Sequence, residues 1–259
     1  MKNTIIGIFI FIGLFSAASA KVLIEQANLS GTITTRPMEK QPPLSSRGVN
    51  KVAVIGYLSP TVGQTHVGIT MFNNKFNELG DFSEIGIESL SKHLPSSSSS
   101  SDDVVFIDES DYFSVLEDNV KISKWDGKAK ILESEESKDL VSSLTEKGYD
   151  AILYIIERNT SDYIGHTNQY MLPKGFYSRP KIRAVYATFN VRLIDLETKK
   201  EIKHTSYSQG TAIEADEIEI DKTKGLANEE DKKVVVEKLL EAYEVAAKRV
   251  ITMLKANKS

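Results

Sequence analysis

The sequence predicts an α/β (or α+β) fold: a single mixed β-sheet packed with helices, including a long β-hairpin and a C-terminal amphipathic helix. Three observations lead there. Residues 52–58 (VAVIGYL) and 149–156 (YDAILYII) are short apolar runs of the kind buried on both faces of a sheet. Val185, Ala187, Phe189, Val191 and Leu193 alternate with Tyr186, Thr188, Asn190 and Arg192, the period of a strand with unlike faces. Val236, Leu239, Leu240, Tyr243, Ala246, Ala247, Val250 and Leu254 recur at helical spacing, and burying each large side chain of that stripe contributes roughly 1.5–3 kcal/mol.

The first element is a targeting signal. Lys2 supplies a positive start, residues 5–15 a short apolar stretch and Ala18-Ser19-Ala20 a small-residue cleavage site, so residues 1–20 are expected to be removed on export. The expected address is periplasmic or secreted. The chain of 259 residues has no Cys, so there is no lipobox for a lipid anchor, no disulfide framework and no thiolate site for a metal. Residues 21–48, rich in Thr, Ser and Pro without periodicity, read as an extended arm, and residues 49–259 as a single α/β domain. No later segment is apolar for long enough to span a membrane after signal cleavage.

Within that domain, residues 52–58 form the first strand, ended by Ser59-Pro60. Asn73-Asn74 suits a tight turn between strands at 66–72 and 75–79. Ser83 is placed to cap a helix with Ile87, Leu90 and Leu94 on its buried face and Pro95 beyond its end. Six serines at 96–101 make a flexible loop tip, 104–107 a short strand, and Asp126-Gly127 a second hairpin turn. Ser134, with Glu135 and Glu136 behind it, caps a helix closed by Gly148; Leu140, Val141 and Leu144 are its stripe. Residues 149–156 then return to the sheet as a central strand, which requires at least one parallel crossover. Residues 195–200 (DLETKK) turn the long hairpin, and Asn228 caps the last helix, acidic at its start and basic at its end.

Composition narrows the chemistry. A formal net charge of -4 gives no basic footprint for nucleic acid. His66, His93, His166 and His204 share no metal-ligand spacing, and the acidic group at Asp102, Asp103, Asp108, Glu109 and Asp111 lacks the Gly and terminal Glu of a calcium loop; no metal and no cofactor are expected. Nucleophile-elbow and phosphate-loop motifs are absent. The stretch 159–180 is the least scaffold-like part, a long connection between two strands carrying Tyr163, His166, Tyr170, Phe176, Tyr177 and Arg179. Aromatic and Arg side chains offer large contact area with a polar handle, so these six are the candidate binding residues; the competing reading packs them as satellite core.

The order of elements, and above all AVYATFNVRLIDLETKKEI with its D-L-x-T turn, is similar to the corresponding hairpin of envelope α/β domains of the CsgG and TolB N-terminal-domain type. HVGITMFNN, at residues 66–74, also resembles a motif of exported bacterial proteins. The resemblance implies an envelope domain working through protein contacts and oligomerisation. CsgG-like proteins carry a lipidated Cys that this chain lacks, and 159–180 has no alternating apolar pattern for a membrane hairpin, so no residue role transfers. The expected function is a non-enzymatic periplasmic binding or assembly component of the bacterial cell envelope, with an envelope protein or a second copy as partner. The alternatives are an exported hydrolase, in which Asp108 and His166 would have to meet, and a small-ligand binding protein using the same aromatic stretch.

Overall fold

The computed structural model describes residues 48–66, 75–96, 104–157, 172–179, 182–213, 217–221, 225–226 and 228–255. The first apolar run becomes β1 (Lys51–Tyr57), with Val52 and Val54 in the core on one side of the sheet and Ala53 and Ile55 in a second core on the other. A strand apolar on both faces belongs inside a sheet. Accordingly β1 lies between β4 (Val105–Asp108) and β7 (Ala151–Glu157), parallel to both. β2 (Thr61–His66) pairs antiparallel with β3 (Lys75–Asp81) and parallel with β8 (Lys174–Arg179). β9 (Ile182–Asp195) and β10 (Glu201–Ala212) are the long antiparallel hairpin. Its turn is held by Asp195 Oδ1, which accepts from the Thr198 amide at 2.7 Å and the Thr198 hydroxyl at 2.6 Å. The strand order is β3-β2-β8-β9-β7-β1-β4, with β10 on the remaining edge of β9.

Helices cover both faces. α1 (Ile87–Ser91) and the long α4 (Glu229–Lys255) share a core with β9, in which Phe189 meets Tyr243 edge to face at 6.3 Å. On the opposite face α2 (Phe113–Asn119) and α3 (Glu135–Glu146) bury Leu116, Leu140 and Leu144 against Ile55, Ile152 and Tyr154. A short hairpin, β5 (Val120–Ile122) and β6 (Ala129–Ile131), closes that layer. β11 (Ile220–Asp221) and β12 (Gly225–Leu226) form a second small antiparallel pair. No helix among the described residues is long and apolar enough to cross a membrane.

The caps at 134, 148 and 228 are formed as the sequence indicates. Ser134 accepts from the Ser137 amide in a reciprocal capping box, Gly148 has φ +80°, and Asn228 Oδ1 accepts from the Asp231 amide at 2.9 Å. Three expectations are corrected. A tight turn on Asn73-Asn74 would pair residue 72 with Lys75, whereas Lys75 pairs with His66. The helix expected from Ser83 is a 3-10 turn (Ser83–Ile85) followed by α1, because Gly86 sits extended between them (φ -74°, ψ -175°); Gly in a helix interior costs about 1 kcal/mol. Asp126-Gly127 does mark a hairpin, and Gly127 takes φ +69°, but Ile122 pairs with Ala129, so residues 123–128 make the connection. No element was expected at residues 113–119, where α2 forms; two turns are too short for a period to show. The segments expected as signal and arm, and the serine run from 97, lie outside the described residues.

Candidate functional site at the seam of the sheet

β9 is long enough to serve two half-sheets at once. Along one edge its residues 189–195 pair with β7 and its residues 182–187 with β8, so β7 and β8 lie end to end. β1 and β2 do the same one strand further out, joined through residues 58–60. The chain therefore leaves the sheet at Glu157 and re-enters it at Lys174 across a narrow seam.

Polar groups hold that seam. Alternation from Ile155 and Phe176 puts Glu157 and Lys174 on the α4 face, where they form an ion pair with side chains 16% and 2% exposed. Glu157 Oε1 also accepts from the Ser59 amide at 3.1 Å, which ties the β1–β2 connection to the same carboxylate. Burial pushes the Glu157 carboxyl above its ordinary range, with Lys174 pulling the other way; burial likewise lowers the Lys174 ammonium against the pull of Glu157. The approach to Lys174 is fixed as well. The Tyr186 hydroxyl donates to the Leu172 carbonyl at 3.2 Å, and the Thr188 amide and hydroxyl both donate to the Pro173 carbonyl at 2.8 Å. Further along, His66 Nδ1 and Ser178 Oγ lie 2.9 Å apart between β2 and β8. Gly63 and Gly175 face each other in register, and a Cβ on Gly175 would stand 2.2 Å from the Gly63 carbonyl oxygen.

Of the six candidate binding residues, Phe176 and Tyr177 belong to β8 and are 0% and 8% exposed; Phe176 packs in the α4 core. Arg179 is the last residue of β8, opposite Ile182. Tyr163, His166 and Tyr170 lie outside the described residues. The stretch 159–180 is thus not one uninterrupted connection. β8 leaves no strand pattern in the sequence because KGFYSR buries Lys174 and Ser178, residues that ordinarily mark a solvent face. Asp108, the carboxylate of the hydrolase alternative, is occupied by local bonds: it accepts from Ser91 Oγ at 2.7 Å and from the Ser110 amide at 2.9 Å. Among the described residues no cluster of three or more metal-ligating side chains occurs.

A second polar cluster sits on the α3 side. Glu109 accepts from Tyr149 at 2.6 Å and from Lys147 at 2.8 Å, and Lys147 lies 5.0 Å from the centre of the Tyr112 ring. Burial raises the Glu109 carboxyl, but the Lys147 and Tyr149 hydrogen bonds outweigh it and leave it below its ordinary value. Every polar atom named here is used in joining β4, α2 and α3, which is a structural arrangement.

No family model matches the chain, and no curated protein does. Solved structures similar to it include two bacterial proteins. Lipoprotein GNA1162 from Neisseria meningitidis matches at 12% identity, over 76% of this chain and 98% of that one, with a TM-score of 0.30. Protein XCC0632 from Xanthomonas campestris, described under the family model DUF330, matches at 9% identity over 88% of this chain and 93% of that one, with a TM-score of 0.33. The resemblance to CsgG and TolB domains gains no family-model or curated match.

Proposed function

We propose that this chain is an exported, non-catalytic component of the bacterial cell envelope that works through protein contacts, with residues 158–171 as its recognition segment. The observation that carries the reading is the seam. Both ends of the segment are fixed to a rigid sheet: Glu157 and Lys174 by their shared ion pair, Leu172 and Pro173 by hydrogen bonds from β9. Contact residues set between such fixed points lose less freedom on binding than residues on a free tail. Tyr163, Tyr170 and His166 supply the amphipathic side chains such a surface uses. In this reading residues 1–20 are the export signal, 21–48 an arm and 49–259 the working domain, and an envelope protein or a second copy is the partner.

The test combines alanine at Tyr163, His166 and Tyr170. The variant is expected to lose capture of its partner from envelope extracts, or its self-association in sedimentation, while its thermal midpoint stays with the parent. Retained association, or a parent chain that is monomeric and captures nothing, would overturn the reading. Native material should begin at Lys21 by mass spectrometry.

A further inference from the structure

The chain has one Trp, and it is fully exposed: Trp125, at the tip of the β5–β6 hairpin, has 100% of its surface in solvent. Exposed apolar side chains scattered singly are ordinary. This one has company. Ile122, on the same hairpin, is 41% exposed, and Lys121, Lys124, Lys128 and Lys130 surround it, all exposed. Asp126 is the one acidic residue among 120–131, and its carboxylate accepts from the Lys128 amide at 3.2 Å, inside the turn. Four positive charges against one negative thus gather around the only Trp of a chain whose net charge is -4.

The base of this hairpin is fastened to the sheet. Arg192 and Glu201, paired across β9 and β10 with side chains 9% and 2% exposed, reach it from below. Arg192 donates to the Gly127 carbonyl at 2.9 Å, and Glu201 Oε2 accepts from the Ala129 amide at 3.0 Å. Ala129 and Ile131 are buried in the second core, and the Ile131 amide donates to the Lys199 carbonyl at 2.9 Å. The tip is therefore a convex, cationic, aromatic-ended projection on a rigid foot.

We infer that this tip is a docking point for an anionic phospholipid surface, with Trp125 entering the headgroup region and the four lysines facing the lipid charges. Shape and composition favour a bilayer over other anionic partners. Trp partitions to the boundary between headgroups and chains, and lysines near an anionic leaflet each strengthen attachment roughly fivefold. Protein interfaces instead deplete Lys and seat their Trp anchors in pockets of the partner across a broad, flat patch. Single-stranded nucleic acid tracks a basic groove with several stacking platforms, and a lone aromatic on a protruding tip provides neither. Contact through this tip does not depend on residues 158–171, so it stands or falls apart from the recognition segment.

Because Trp125 is the only Trp, its emission reports this tip alone. The full chain is mixed with vesicles of phosphatidylcholine, with vesicles of phosphatidylcholine plus phosphatidylglycerol, and with the latter carrying bromine on their acyl chains. The expected result is a blue shift on the anionic vesicles only, bromine quenching, and reversal by added salt within the range where charge screening acts. Attachment through the apolar stretch at 5–15 would leave Trp125 in water and its emission unmoved. Replacing Lys121, Lys124, Lys128 and Lys130 together by Gln should weaken partitioning at least tenfold, with an unchanged far-ultraviolet spectrum because all four are exposed. No blue shift on anionic vesicles overturns the inference, as does an equal shift on phosphatidylcholine alone or full partitioning of the Gln variant. A shift produced by single-stranded DNA or by an isolated envelope protein, with none on anionic vesicles, would reassign the tip to that partner.

Discussion

The two half-sheets that meet along β9 are built from different material. In β7 and β1 both faces are apolar: Ile152, Leu153, Ile155, Val52, Val54 and Ile55 are all at 0% exposure, between α4 on one side and α2 and α3 on the other. In β2 and β8 the buried set includes Gln64, Thr65, Lys174 and Ser178, and two glycines bring the backbones together. Apolar packing is non-directional and roughly proportional to buried area, so the first half tolerates many arrangements of similar volume. Buried charges and hydrogen-bonding groups are satisfied only in one geometry. The second half is thus where the chain has a fixed arrangement rather than merely a stable one, and it carries the end of residues 158–171 that leads into β8, the other end leaving from Glu157 of β7.

The largest effect should come from breaking the charge pair. Lys174→Met leaves Glu157 buried without its cation, and chemical denaturation should show a loss of about 3–5 kcal/mol. Glu157→Leu with Lys174→Met should recover most of that, since a well-packed apolar pair of similar volume is often neutral or better than a buried ion pair. The matched break in the other half is Leu153→Ala, at a cost of roughly 2–5 kcal/mol from lost burial and cavity. If the double variant at the seam is as unstable as Lys174→Met alone, the seam is not held by paired charge and the contrast between the halves fails.

A smaller effect separates backbone from side-chain crowding at the same place. Gly175→Ala would push a Cβ to 2.2 Å from the Gly63 carbonyl oxygen, a backbone atom that can yield only if the strands part. Overpacking of this kind costs about 1–3 kcal/mol and sometimes more. On the partner strand, a Cβ on Gly63 meets the Leu172 side chain at 2.9–3.3 Å. The nearest of those atoms is the Leu172 Cβ, so Gly63→Ala should be relieved by Leu172→Gly, whereas Gly175→Ala should not. Thermal unfolding of the four variants checks it, and equal relief of both would show that Gly175 is not held by the β2 backbone.

The same division decides what could be read in advance. β1, β7, β9 and α4 announce themselves because their burial is apolar and follows period two or 3.6. Ser134, Gly148 and Asn228 were legible because caps use few residue types at fixed offsets. β8 was not, since its burial of Lys174 depends on Glu157, a partner that pattern reading within one strand cannot supply. Nor could one strand reveal that β7 and β8 are collinear, because that follows from the length of β9 and its pairing on one edge. Trp125 is the opposite case. A single Trp beside Asp126-Gly127, with lysines on either side, lay open in the sequence; what the fold adds is that no described residue packs over it.

The smallest effect belongs to the first half, where polar groups serve the surface rather than the core. Glu109 is held below the ordinary carboxylate range: burial opposes ionisation, but the Lys147 and Tyr149 hydrogen bonds overcome it. For a carboxylate depressed on folding, the stabilisation is complete above the unfolded value of about 4.3 and is lost as pH falls through the folded value. Glu109→Gln cannot ionise, so the midpoint difference between parent and variant should be constant near neutrality and close as the medium is acidified below that unfolded value. With Lys147 44% exposed, solvent screening holds the whole effect to roughly 0.5 kcal/mol or less. A difference that instead widens in acid would mean that the carboxyl is protonated more readily in the fold than in the open chain. The surface cluster would then resemble Glu157 at the seam, and charge burial would not distinguish the two halves.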